Sequence, residues 1–232
     1  MKSVLSAVRS MADKTLFIKW DMTSNKPAPT RTAKLQRLYE LAATQAGYFT
    51  ASQAHPLGYS ARSLVHHVAA GHLERVSRGF YRLVGVPAEP HEDIVAAWLK
   101  HAPRSAVVSH DTALALYDLA PSRSHAIHLT VPRDRRPRGS QSVPAVELHT
   151  TTVPLRRDEV ADRFGVRITS PVRTIADVAD IGADPSVVVE ATVRALATGL
   201  ASPDELDTAV KIQSARVRQL VERAMKEAGR RA

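Results

Sequence analysis

Between Ala33 and Val86 the chain is punctuated so closely that few folds remain open to it. Leu35, Leu38, Leu41 and Ala42 recur at helical spacing and Gly47 stops the run, which predicts a helix over 33–46. Tyr48-Phe49-Thr50 reads as a short connector. Thr50 or Ser52 can cap a short second helix over 51–56, because a hydroxyl there accepts an otherwise unpaired helix N–H. HPLGY is a turn, and Ser60 stands as N-cap of a third helix, Ala61–Ala70, ended by Gly71. LERVSRGFYRLV then supplies two β-rich runs around Ser77-Arg78-Gly79, a hairpin. Helix, short helix, capped helix and basic hairpin is the order of a winged helix-turn-helix. Pro87 and Pro90 in VPAEP mark a linker after it.

Charge agrees with that placement. The chain of 232 residues carries a formal net charge of +9, and a chain so basic tends to meet a polyanion, nucleic acid above all. Residues 31–90 hold seven basic and three acidic side chains, whereas 91–200 hold thirteen of each. The expected organisation is therefore a flexible basic arm over 1–32, a winged helix over 33–86, and a second domain over 91–232 that is balanced in charge up to residue 200 and basic in its tail. The arm ends in TSNKPAPTRT, which has no apolar period, and Met1, Met11 and Met22 are alternative starts. With 44% hydrophobic residues a sizeable core can form, and with no cysteine a disulfide scaffold, a thiol nucleophile and a Cys-based zinc site are excluded. No run of about 18 apolar residues exists, so no membrane span is expected. Arg9, Asp13, Lys14 and Lys19 interrupt the N-terminal stretch, so no signal peptide is expected either, and the chain reads as cytoplasmic.

The second region begins with a helix over 91–101 and another over 109–118, with Ser109 as a plausible cap. Ala126–Val131, Val143–His149 and Val166–Thr169 read as strands, the loop PRDRRPRGSQSVP separating the first two. Ser170-Pro171 opens a helix to about Ala179, the cap-then-Pro order favoured at a helix start. Helices over 185–199 and 203–228 complete the chain, the last ending in a basic tail. The fold class is α+β: an N-terminal winged helix-turn-helix followed by a mixed α/β domain with a helical C-terminal end.

Within the third helix, Ala61, Leu64, Val65 and Val68 form an apolar face suited to packing, which leaves Arg62, Ser63, His66, His67 and Ala70 facing out. A recognition helix needs side chains near its N-terminus that reach base edges, and the planar fork of Arg62 can pair with guanine O6 and N7. Ser60 and the helix N-terminus suit a phosphate. Arg75, Arg78 and Arg82 make the hairpin a basic wing. Arg133, Arg135, Arg136 and Arg138 in the long loop are a second set of candidates for phosphate or for an acidic partner. The bland reading of all these residues is a solvated basic surface.

Sequence motifs for catalysis are missing. There is no P-loop, no GxGxxG and no GxSxG. His66-His67, His125-x-x-His128 and His149 do not match a metal-ligand pattern, so neither metal nor cofactor is expected. Asp158 and Glu159 in RRDEV look like part of a solvated turn. The chain reads as a non-enzyme.

GHLERVSRGFYRL resembles the N-terminal domain of the AbiEi family of antitoxin transcriptional regulators. VVSHDTALALYDLAP, IHLTVPRDRRP, VELHTTTVPLRRDEV and VRITSPVRTIADVAD are similar, in that order, to pieces of the family's second domain, SPVRTIADVAD being the most specific. The likeness spans roughly residues 33–200. It implies a cytoplasmic antitoxin of a bacterial toxin–antitoxin pair that binds double-stranded DNA, inverted repeats in its own promoter, through the winged helix. It also implies a second domain needed to neutralise a nucleotidyltransferase-type toxin, directly or indirectly, and it is compatible with a monomer that binds DNA cooperatively. The DNA contacts then fall on Ser60, Arg62, Ser63, His66, His67, Arg75, Arg78 and Arg82. Ser109, His110, Arg173, Thr174 and Asp177 sit in the resembling second-domain pieces, either in a toxin-related role or as structure, since Arg173 and Asp177 at i,i+4 can form an internal salt bridge. A regulator with a ligand-sensing second domain, and an enzyme that modifies the toxin, are the alternatives.

Overall fold

A computed structural model describes residues 31–101, 105–135 and 145–231. The expected arm lies outside the described residues except for Arg31 and Thr32, which begin the first helix, and so do Arg136 and Arg138.

The N-terminal unit runs α1 (Arg31–Ala43), β1 (Tyr48–Thr50), α2 (Ala51–Ala54) with a 3-10 turn His55–Leu57, α3 (Ala61–Ala69), β2 (Leu73–Ser77) and β3 (Phe80–Leu83). Its antiparallel sheet has the order β1-β3-β2. The connector expected at 48–50 is thus a third strand, with Phe49 opposite Tyr81 and Tyr48 opposite Arg82. Tertiary packing makes it one: Phe49 is fully buried and stacks on Tyr81, with ring centroids 5.8 Å apart. Burying a side chain of that size is worth about 1.5–3 kcal/mol. Thr50 forms a capping box with Gln53, and the Ser60 hydroxyl accepts the N–H of Ser63 at 3.1 Å, so both sequence-read caps are present. Leu38, Ala42, Phe49, Leu64, Leu73 and Tyr81 form the core. Gly79 turns the hairpin at φ +71° and its carbonyl accepts the N–H of Ala51 at 2.8 Å, which ties the wing to the start of α2.

The C-terminal unit comprises α4 (Glu92–His101), β4 (Val107–Val108), α5 (His110–Leu116), β5 (Ile127–Pro132), a 3-10 turn Arg133–Arg135 and β6 (Val146–Thr151). A second 3-10 turn (Arg157–Glu159), β7 (Val160–Arg163), β8 (Val166–Thr169), α6 (Pro171–Asp180), α7 (Pro185–Ala197), α8 (Pro203–Val210) and α9 (Ala215–Arg231) follow. The sheet order is β6-β5-β4-β8-β7. β5–β6 and β4–β8 pair in parallel, β4–β5 and β7–β8 antiparallel. Three helices begin alike, with Ser170, Asp184 or Ser202 as cap and Pro in the next position, where a missing N–H costs nothing.

Four sequence readings are corrected here. The single helix expected over 203–228 is two, because the chain turns at 211–214 and Ser214 restarts the helix by accepting the N–H of Val217. Asp158 and Glu159 do lie in a turn, but it leads into β7, and Glu159 is tucked in rather than solvated. Ser109 occupies the N-cap of α5 without capping it, since its hydroxyl is engaged by Thr130 and His110. Val65, placed on the packing face, is 58% exposed.

The segment 87–90, read as a linker, joins two units that touch. Ala46 and Phe80 are part of the larger core, and Tyr48 packs against it. A Cβ on Gly165 would come within 2.9 Å of the Thr44 carbonyl oxygen, so only glycine allows the β7–β8 turn to approach that backbone.

Candidate nucleic-acid interface and a histidine–arginine pocket

In α3 the residues at 62, 65, 66 and 69 all face solvent, so the outward surface is Arg62, Val65, His66 and Ala69. Leu64 is the fully buried anchor that holds this face outward. Ser60 and Ser63 sit at the cap, the Ser63 hydroxyl donating to the Ser60 carbonyl at 2.9 Å. His67 is turned aside: it is half-buried and its ring lies 5.6 Å from Tyr59 and 5.7 Å from His72, bracing α3 against the start of β2. Val65 went unseen as an outward residue because the helical wheel places it beside Leu64. An exposed apolar side chain between Arg62 and His66 suits a thymine methyl group.

Arg75 and Arg78 are exposed on the wing. A bulge between Arg75 and Ser77 leaves Val76 unpaired and re-aims the strand next to them. Arg82 sits elsewhere. Its side chain is only 18% exposed, it donates to the Val86 carbonyl at 3.0 Å, it pairs with Glu92 at 3.3 Å, and it lies over the Tyr48 ring. It clamps the winged unit to the start of α4 and is not free to reach phosphate.

The second site comes from strand pairing. In the parallel β5–β6 ladder His128 lies beside Glu147 and Thr130 beside His149. Thr130 donates to the buried Ser109 hydroxyl at 2.8 Å, and His110 Nδ1 is 2.9 Å from the same oxygen. His110 enters α5 at φ +52°, a backbone region that L residues rarely occupy. Its ring stacks on His149 with centroids 3.6 Å apart, and His128 Nδ1 is 3.0 Å from His149 Nε2. Burial, aided by the neighbouring imidazoles and Arg173, pushes His110 down to about 3, so it is neutral at physiological pH. Burial also lowers His149, while Glu147 and Asp111 oppose the shift.

Arg173 donates from Nε to Asp177 at 2.7 Å and from a terminal nitrogen to Glu159 at 2.9 Å. Burial works against its charge, and the two carboxylates together outweigh that cost. Asp177 does not gain as much in return: burial outweighs the guanidinium and raises its carboxyl to about 6. His110, Arg173 and Asp177 thus line one cavity of about 430 Å³ with Thr130, Arg133 and His149. Ser109 lies one layer beneath, and Thr174 is internal, 2.7 Å from the Thr169 hydroxyl and donating to the Ser170 carbonyl at 2.8 Å. Arg135 donates to Ser105 at 2.8 Å. Sequence reasoning missed Thr130, His149 and Glu159 as partners in this site. The period-two spacing of His128 with Thr130 and of Glu147 with His149 was the available signal, but it does not say which strands are neighbours.

Residues 36–84 match the family model described as transcriptional regulator, AbiEi antitoxin, which bears out the resemblance over the winged unit. The fold is similar to that of the RV2827C protein from Mycobacterium tuberculosis, known from a crystal structure, with a TM-score of 0.55 and 13% identity over 88% of this chain and 80% of that one. None of the curated proteins compared with the chain matches it. Among the described residues no helix is long and apolar enough to cross a membrane.

Proposed function

We propose that this chain is a DNA-binding autorepressor and antitoxin of a bacterial toxin–antitoxin pair, acting in the cytoplasm by binding rather than by catalysis. The winged unit reads inverted repeats in its own promoter, and the C-terminal unit contributes to neutralising a nucleotidyltransferase-type toxin. The observation that carries the DNA half is the pairing of a capped helix whose outward face holds Arg62, Val65 and His66 with an adjoining wing that exposes Arg75 and Arg78. Arg62 and Val65 read base edges, Ser60 and the helix N-terminus hold a phosphate, and the wing arginines lie on the backbone. The family match over 36–84 supports this reading.

The test is fluorescence anisotropy of the full chain on the duplex upstream of its own gene, against a scrambled duplex, over a salt series. The reading expects at least about a thousandfold preference for the first. Equal, salt-labile binding to both duplexes overturns it. The cavity of about 430 Å³ lined by His110, Thr130, Arg133 and His149 favours a second reading, a regulator whose C-terminal unit senses a ligand. A metabolite-dependent change in operator affinity without any toxin would support that reading over the first.

A further inference from the structure

We propose that His128, Glu147 and His149 form a zinc-type divalent-cation site at the edge of the C-terminal pocket. The inference goes beyond the DNA-binding reading and does not depend on it. Among the described residues these three side chains place their donor atoms within 4.8 Å of one another. His149 Nε2 is 3.0 Å from His128 Nδ1 and 3.7 Å from Glu147 Oε1, and His128 Nε2 is 3.7 Å from Glu147 Oε2. A tetrahedral cation with bonds of about 2.0–2.1 Å holds its donors roughly 3.3–3.4 Å apart, so His149 Nε2 already stands near the needed spacing from both His128 Nδ1 and Glu147 Oε1.

The second observation is an orphan. His128 is 95% buried, at 5% exposure, and its Nε2 has no hydrogen-bond partner although it faces the Glu147 carboxylate. A buried polar nitrogen left unpaired costs about 1–3 kcal/mol, which a cation on the ring's other nitrogen would relieve by fixing the proton on Nε2, where the Glu147 carboxylate can accept it. The contact between His128 and His149 can only be one proton shared by two nitrogens. A cation bound between His128 Nδ1 and His149 Nε2 takes that proton's place, the proton moves to the far nitrogen of its own ring, and both imidazoles stay neutral. His128 then carries its proton on the Nε2 that faces Glu147, whose side chain is 55% exposed and leaves the site open to entry.

The donor set chooses the ion class. Two imidazoles and one carboxylate suit zinc and its neighbours, whereas calcium and magnesium want more oxygens and copper(I) wants sulfur. Three protein donors leave one position open. His149 also lines the C-terminal pocket, so the site lies at the pocket's edge.

The test titrates Zn²⁺ into the chelator-stripped full chain in competition with a chromogenic chelator, and measures Tm with and without Zn²⁺. The expected result is one Zn²⁺ per chain and a raised Tm. His149→Gln and Glu147→Gln should each weaken binding at least about tenfold. His72→Gln controls for the His67–His72 pair, whose Nδ1 atoms lie 3.4 Å apart, and should leave binding unchanged. Glu147→Gln carries the test if the His149 variant does not fold. Wild-type binding no tighter than that of Glu147→Gln, or loss of the bound ion in His72→Gln, overturns the proposal.

Discussion

The two surfaces of this protein are built on opposite terms. The surface proposed to face DNA is local: it spans Ser60 to Arg78, its side chains project into water, and the core beneath it would stand without them. The pocket is non-local: its residues come mainly from α5, β5, β6 and α6, its charged and imidazole groups His110, His149, Arg173 and Asp177 are buried or half-buried, and they depend on one another for partners. The first kind of surface can change its sequence preference at little cost in stability. The second cannot lose a charge without stranding its partner, so its function and its folding are tied together.

The comparison breaks first at Arg173. Arg173→Ala leaves Asp177 and Glu159 without their shared cation in a half-closed site and should destabilise the fold by roughly 3 kcal/mol, read as a fall in Tm. A change below about 0.5 kcal/mol would mean the pocket is as expendable as a surface patch.

Asp177 sharpens the same side through pH. Its folded pKa is raised from 3.8 to about 6, so the folded state binds the proton more tightly than the unfolded one. The stability linked to this proton is fully present below pH 3.8 and is lost as pH rises through 6. Asp177→Asn lacks that loss, so its stability relative to wild type should climb between pH 4 and 7 in paired denaturation series. A difference that stays constant with pH would refute the assignment.

On the DNA side, Arg62→Ala should cost about 1–3 kcal/mol of operator affinity and relax discrimination at one base pair, while Tm stays within about 0.5 kcal/mol of wild type. If affinity holds, α3 does not read DNA through this face. The smallest effect separates two arginines that look equivalent in the sequence. Arg78→Ala should reduce the slope of log affinity against log salt by about 1. Arg82→Ala should leave that slope alone and lower Tm instead, since its guanidinium is spent on Glu92 and Val86.

Much of the winged unit and the helix starts of the C-terminal unit were legible because their devices are local. Thr50 and Ser60 cap the helices they precede, Gly79 turns the hairpin, and Pro171, Pro185 and Pro203 each follow a capping side chain. Such devices act over three or four residues, within reach of a reading along the chain. Tyr48-Phe49-Thr50 escaped because three residues carry too little pattern to declare a strand, and the edge of β3 makes it one. Arg82 escaped because nothing next to it in sequence announces Glu92 as a partner ten residues on.

The sequence by itself settled the order of helices and hairpin and the basic bias of the first unit, since these follow from side-chain chemistry and short-range hydrogen bonds. Tertiary structure alone decided that β5 and β6 run parallel with His128 beside Glu147. It also decided that His110 stacks on His149, and that Arg173 draws Glu159 and Asp177 to one guanidinium. Strand neighbours are chosen by burial of the whole sheet, a sum over residues far apart in the chain, and no local pattern carries that sum.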